Sequence, residues 1–308
     1  MAPPFPRSEY VDRLARVRTA LVAKGLDAIV IGDPSNINWL TGYDAWSFYT
    51  PQIMVVGTDL DPIWMGREMD AGAAKFTTYL NPEQIVGFPE PLVQRPDTHP
   101  AVFMADQMKA AGLGGERIGH ESDVYYLSYA ATNHLKAGLP DATWIDADLL
   151  VNWVRVVKTP AELDYMRQAA VIAGKAMQVA YDGCNPGVRQ CDLMAEVSAA
   201  QIRGTPDFGG DMPAIHPLVL AGEAASTAHP MWTDAPFEAD QIVAFELGAC
   251  RKRYNAGLAR TVCLGPPNPA LRKTEAAVLE GMDAVVSTLR AGVPCQDVHA
   301  TWQAVLDR

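Results

Sequence analysis

Four features of the chain have residue types and spacings that could do chemistry. Glu246 lies inside the apolar run Ile242-Val243-Ala244-Phe245-Glu246-Leu247-Gly248. A carboxylate there is costly to bury unless it is paired or faces a polar cavity, so it reads as a strand-end ion pair or as a reactive group. His229 closes the segment Gly222-Glu223-Ala224-Ala225-Ser226-Thr227-Ala228-His229. An imidazole titrates near neutrality and suits proton shuttling, although a lone histidine is ordinarily unremarkable. The third feature is Tyr254-Asn255-Ala256-Gly257-Leu258-Ala259-Arg260-Thr261, where Arg260 could grip a carboxylate through two parallel hydrogen bonds. The fourth is Trp46, Phe48 and Tyr49: an aromatic corner of a core, or faces that cover a cation at ~0.5–2 kcal/mol each when desolvated.

The elements that must position these groups read as an α/β chain in two parts. Val11, Leu14, Val17, Leu21 and Val22 repeat at helical spacing over residues 9–24, and Gly25 suits the residue after the helix. Leu26 to Ile31 is a short apolar run stopped by Gly32-Asp33-Pro34, which predicts a buried strand. Apolar runs at 52–56 and 62–65 extend the sheet, and the N-terminal domain is expected to span residues 1–150. Thr159-Pro160-Ala161-Glu162 has the form of a capping box opening a long helix. A second helix is predicted over 188–203, ended by Gly204, and both read as packing elements. Strands are predicted at 218–221, 241–247 and 253–264, and helices at 270–289 and from 296 onward.

Composition narrows the function classes. The 308 residues are 49% hydrophobic and 20% charged, enough for two compact domains with sizeable cores. A net charge of -11 would be repelled by a phosphate backbone, so nucleic acid is excluded as the expected partner. Cys184, Cys191, Cys250, Cys263 and Cys295 contain no CxxC pair, which fits reduced thiols better than disulfides or a zinc site. The opening MAPPFPR lacks the apolar stretch of a signal peptide, and no apolar run approaches the ~20 residues a membrane helix needs. A cytoplasmic protein with no membrane partner is the expectation.

In this order, the groups resemble the creatinase/prolidase family, whose catalytic domain has the pita-bread fold. LDAIVIGDPSNINWLTGY is similar to that family's smaller N-terminal domain, WVRVVKTPAELDYMRQAA to its interdomain helix, and GEAASTAHP to the segment of its first active-site histidine. The family's metallopeptidases carry Asp-x-Gly and then Gly-Tyr-x-Ser-Asp-x-Thr-Arg-Thr. A gap-free match on Gly248, Tyr254, Arg260 and Thr261 puts Glu246 at the first aspartate and Gly257 at the second. Glycine cannot ligate, and a pair of hard cations needs its full set of oxygen ligands. The resemblance therefore implies one of the metal-free members, with no cofactor. Within that group, GYDAWSFYTPQ, WMGREMDAGAAKFTTYL, IVGFPEPLVQRPDTHP and GVRQCDLMAEVSAAQIRGTPDFGGDMPAI resemble hydrolases of cyclic amidines. The chain departs from them at Asn255-Ala256-Gly257, where they carry bulkier residues.

The resemblance implies a small-molecule substrate with a planar cationic amidinium and a carboxylate. It assigns His229 and Glu246 as catalytic, and Trp46, Phe48, Tyr49, Tyr254 and Arg260 as substrate-binding. Glu246 would pair with the amidinium, attack its carbon or activate water. Arg260 would anchor the substrate carboxylate or, the favoured reading, clamp the strand pair. A homodimer is expected, because family dimers close each site with the partner's N-terminal domain. The alternatives are a creatinase-type guanidine hydrolase, a metal-dependent Xaa-Pro dipeptidase, or a binding module without catalysis. Residues 151–308 are expected to hold an incomplete pita-bread domain, since only the opening helices of its second half precede Arg308.

Overall fold

The computed structural model describes residues 3–308, which divide into two compact units, the first ending at Pro160 and the second beginning at Ala161. The first unit runs α1 (Arg7–Ala23), β1 (Ala28–Ile31), α2 (Pro34–Thr41), β2 (Ile53–Gly57), β3 (Ile63–Arg67), α3 (Glu68–Thr77), β4 (Ile85–Phe88), α4 (Pro100–Ala110), β5 (Arg117–His120), α5 (Tyr129–Gly138), β6 (Thr143–Asp146) and α6 (Leu150–Arg155). Its sheet has six strands in the order β4-β3-β2-β1-β5-β6. β1, β5 and β6 run parallel, as do β3 and β4, whereas β2 is antiparallel to both its neighbours.

Both faces of this sheet are covered, which is why its central strands read as unbroken apolar runs. Ile29, Ile31, Met54, Val56 and Trp64 pack with α1, α2, α3 and α6 on one side. Ala28, Val30, Val55, Met65 and Ile118 pack with α4 and α5 on the other. α1 closes as its sequence predicts, with Gly25 at φ 66°. α2 is capped by Asp33, whose carboxylate accepts the Ser35 and Asn36 backbone N–H groups at 2.6 and 3.1 Å.

The second unit holds α7 (Pro160–Gly183), α8 (Gln190–Arg203), β7 (Leu218–Ala221), β8 (Ile242–Arg251), β9 (Tyr254–Cys263), α9 (Pro269–Thr288) and α10 (Cys295–Leu306). β7, β8 and β9 form an antiparallel sheet with β8 in the middle. Ala176, Met177 and Ala180 of α7 and Leu193, Met194 and Val197 of α8 pack on Val219, Val243, Phe245 and Leu247. The hairpin turns through Lys252 and Arg253, both at positive φ (52° and 65°). Two-residue turns of this kind favour Asn-Gly, and side chains with a Cβ cost about 1–2 kcal/mol each there. Asp211, whose carboxylate accepts the Lys252 backbone N–H, offsets part of that cost. Among the described residues no helix is long and apolar enough to cross a membrane.

Candidate active site

Strand parity sorts the residues of the β8–β9 hairpin into two faces. Side chains alternate along a strand, and directly paired residues share a face. Glu246 pairs with Leu218 on β7 and with Ala259 on β9, and Gly248 pairs with Gly257. Glu246, Gly257 and Ala259 therefore look out from the face opposite the α7–α8 layer. Glu246 is half-buried, and among the described residues no donor or cation reaches its carboxylate. The strand-end ion pair is not formed. The surface around it is apolar and small: Ala244, Gly248 and Ala259 flank it. A side chain added at Gly257 would find only the Leu247 carbonyl oxygen, at 3.9 Å.

Tyr254 and Arg260 take the other face, because Arg251 pairs with Tyr254 and Phe245 with Arg260. The period of two along the strand thus turns their side chains to the face opposite that of Glu246. Tyr254 donates its hydroxyl to Glu162 Oε1 at 2.7 Å and stacks on Tyr165, ring centroids 6.0 Å apart. Glu162 is fully buried in the first turn of α7, so the residue read as a capping-box partner also ties the helix to the hairpin. Arg260 is exposed and donates to the neighbouring Ala259 carbonyl at 2.7 Å. No carboxylate among the described residues pairs with it.

His229 lies in the loop that leaves β7 at Ala221, whose partner on β8 is Val243. That loop emerges about 10 Å along β8 from Glu246, at ~3.3 Å per residue. His229 is exposed and holds φ 64°, a backbone region that costs a non-glycine residue energy and clusters at functional positions. The period of two thus separates Glu246 from Tyr254 and Arg260, while His229 lies outside the strands, in the loop that follows β7.

The aromatic group belongs to the first unit. Trp46 and Tyr49 are 63% and 60% exposed, so they are not core residues; Phe48 is half-buried. Trp46 lies 5.3 Å from Phe48 and 5.8 Å from Tyr49, and Phe48 meets Tyr126 edge-on at 5.1 Å. Beneath them Ser47 is buried, hydrogen-bonded to the Tyr43 hydroxyl at 2.9 Å. Burial pushes the Tyr43 phenol up to about 12.

Two features escaped sequence reasoning. Ile215 lies over Gly248, since a side chain added at that glycine would stand 3.7 Å from Ile215 Cγ1. Glu121, directly after β5, is a buried carboxylate held by three donors of the β1–α2 turn. The Glu121-Ser122-Asp123 run reads locally as a polar turn, and only the fold reveals its burial.

An α/β unit with a six-stranded mixed sheet ahead of a helix-backed antiparallel sheet defines the two-domain creatinase/prolidase class. The chain belongs to metallopeptidase family M24, matched over residues 164–308, and carries a creatinase/prolidase N-terminal domain, matched over 13–157. It is 39% identical to an uncharacterised hydrolase/peptidase of Sinorhizobium fredii, over 97% of this chain and 76% of that protein. It is 38% identical to the ectoine hydrolase of Halomonas elongata, over 99% of this chain and 78% of the relative. The fold superimposes on the prolidase of Thermococcus sibiricus with a TM-score of 0.83 at 18% identity, covering 97% and 77% of the two chains. The Xaa-Pro dipeptidase of Bacillus anthracis gives 0.79 at 20% identity, over 97% and 77%.

The family description implies a metal, and the donors at this face do not fit one. The position diagonal to Glu246 is Gly257 and the direct partner is Ala259, leaving one carboxylate. Among the described residues no group of three or more His, Cys, Asp or Glu could hold an ion. No step is therefore routed through a metal.

Proposed function

We propose that this chain is a metal-free hydrolase that opens the cyclic amidine ring of ectoine to an N-acetyl-2,4-diaminobutyrate. The observation that carries this reading is the 38% identity to an ectoine hydrolase over 99% of the chain. The half-buried Glu246, unpartnered beside the bare Gly257, supports it: one carboxylate on an apolar floor suits a planar cation better than it suits a metal pair.

Water adds to the amidinium carbon, one ring C–N bond breaks, and the leaving nitrogen takes a proton to become an amine. Glu246 acts at that carbon as base for the water or as nucleophile, and His229 delivers the proton to the leaving nitrogen. Trp46, Phe48 and Tyr49 bind the cation with their faces, each site of the homodimer being covered by the N-terminal domain of the second copy. The protein works in the cytoplasm as a homodimer. 5-Hydroxyectoine is a second substrate of the same reading.

The test is ring opening followed by proton NMR on ectoine, creatine and an Xaa-Pro dipeptide, before and after dialysis against a strong chelator. Turnover of ectoine that survives chelation is the expected result. Turnover of creatine alone moves the reading to a guanidine hydrolase. Dipeptide cleavage restored by manganese or cobalt overturns it.

A further inference from the structure

Glu121 is a buried titratable group that the proposed reaction does not use. It is 1% exposed, and its two oxygens accept three hydrogen bonds. Oε2 takes the backbone N–H groups of Gly32 and Asp33 at 3.0 and 3.1 Å, and Oε1 takes Asn36 Nδ2. Asn36 is itself fully buried at the start of α2, and the same amide nitrogen donates to Asn152 Oδ1 at 2.8 Å. Its carbonyl oxygen, Oδ1, is buried with no partner.

The two segments that meet here both lead to the aromatic surface. α2 runs from this turn to Gly42 and then into Tyr43, whose hydroxyl holds Ser47 between Trp46 and Tyr49. From Glu121 the chain runs to Tyr126, which packs on Phe48, and to Leu127, which lies against Gly32. A side chain at Gly32 would come within 2.7 Å of Leu127 Cβ, so the contact is close.

We infer that Glu121 is a positioning residue: its carboxylate joins the β1–α2 turn to the β5–α5 connection and thereby holds together the two segments that present Phe48 and Tyr126. Its role toward substrate rests on the function proposed above; its role in tying the segments does not. The charged and titratable groups around it are few. Asp33 at the head of α2 adds a like charge. His120, the preceding residue, turns its ring to the Ile145 carbonyl and to Lys136; α6 presents the neutral Asn152. Burial, the largest influence, raises the Glu121 carboxyl to about 7.

The sign follows from linkage. A carboxyl whose native value is raised binds its proton more tightly folded than open, so the tie is firmest at low pH and loosens as pH climbs toward 7. Hydrogen exchange, corrected for intrinsic rate, is the test. Protection of amides 32–36 and 121–128 in the full chain should fall at least roughly tenfold from pH 5 to pH 7 and then level. Glu121→Gln should be flat across that range. A flat wild-type profile, or a slope retained in Glu121→Gln, overturns the inference. On ectoine, Glu121→Ala should raise KM about tenfold with kcat little changed, and Glu121→Gln should restore KM. A fall in kcat alone, or no rescue by Gln, also overturns it. Absence of ectoine turnover in the wild type removes the functional reading and leaves the exchange result to decide the tie.

Discussion

Two glutamates, Glu121 in the first unit and Glu246 in the second, stand at strands among apolar neighbours and have opposite surroundings. Glu121 is sealed from solvent and saturated with donors: two backbone N–H groups and an amide. Glu246 is half-buried and, among the described residues, has none. A carboxylate that structure needs is given its hydrogen bonds by structure. One left without them on an apolar surface keeps its capacity for a ligand.

The comparison breaks most sharply by substitution. Glu246→Gln should lower kcat/KM on ectoine by about 10²–10⁴-fold while the melting temperature holds or rises. Near-wild-type turnover would end the assignment. Trp46→Ala or Phe48→Ala should raise KM by roughly 2–30-fold with kcat nearly intact, as expected for contacts of ~0.5–2 kcal/mol. Equal losses in both parameters would show these rings do more than bind.

Glu121 is expected to show in stability what Glu246 shows in rate. Its raised carboxyl costs native stability as pH rises from the ordinary carboxylate range through about 7. Urea melts at pH 5 and pH 8 should show Glu121→Gln losing less stability between them than wild type, by on the order of 1–3 kcal/mol. Identical pH slopes would refute this. Tyr254→Phe removes a donor from the buried Glu162 and should cost about 1–3 kcal/mol, a few degrees in a thermal melt, with kcat unchanged. A specific loss of kcat would return Tyr254 to the site.

The fold was largely legible because its signals are local. The helical spacing of Leu14, Val17 and Leu21, the stops at Gly25 and Gly204, and the apolar strand Leu218–Ala221 all reappear in the structure. The side chains' faces were less legible, since a match to a family motif carries residue types over without saying which side of the sheet each one takes. Counting outward from a two-residue turn at Lys252-Arg253 pairs Arg251 with Tyr254, and Phe245 then meets Arg260, away from Glu246. That step was available in the sequence once the turn was placed. Glu121 was not, because its donors at Gly32, Asp33 and Asn36 lie far away in sequence and only the β1–β5 pairing brings them near.

The Lys252-Arg253 turn also bears on how this chain can change. Its costly backbone sets the count from which every residue of the hairpin takes its side of the sheet. Loss or gain of one residue there would turn β9 over against β8, carrying Arg260 to the face of Glu246 and Gly257 into the helix-backed core. Substitutions can accumulate along the hairpin, whereas insertions and deletions at its tip are barred. Homologous chains should therefore drift in what they place beside Glu246 while conserving the spacing between the two strands.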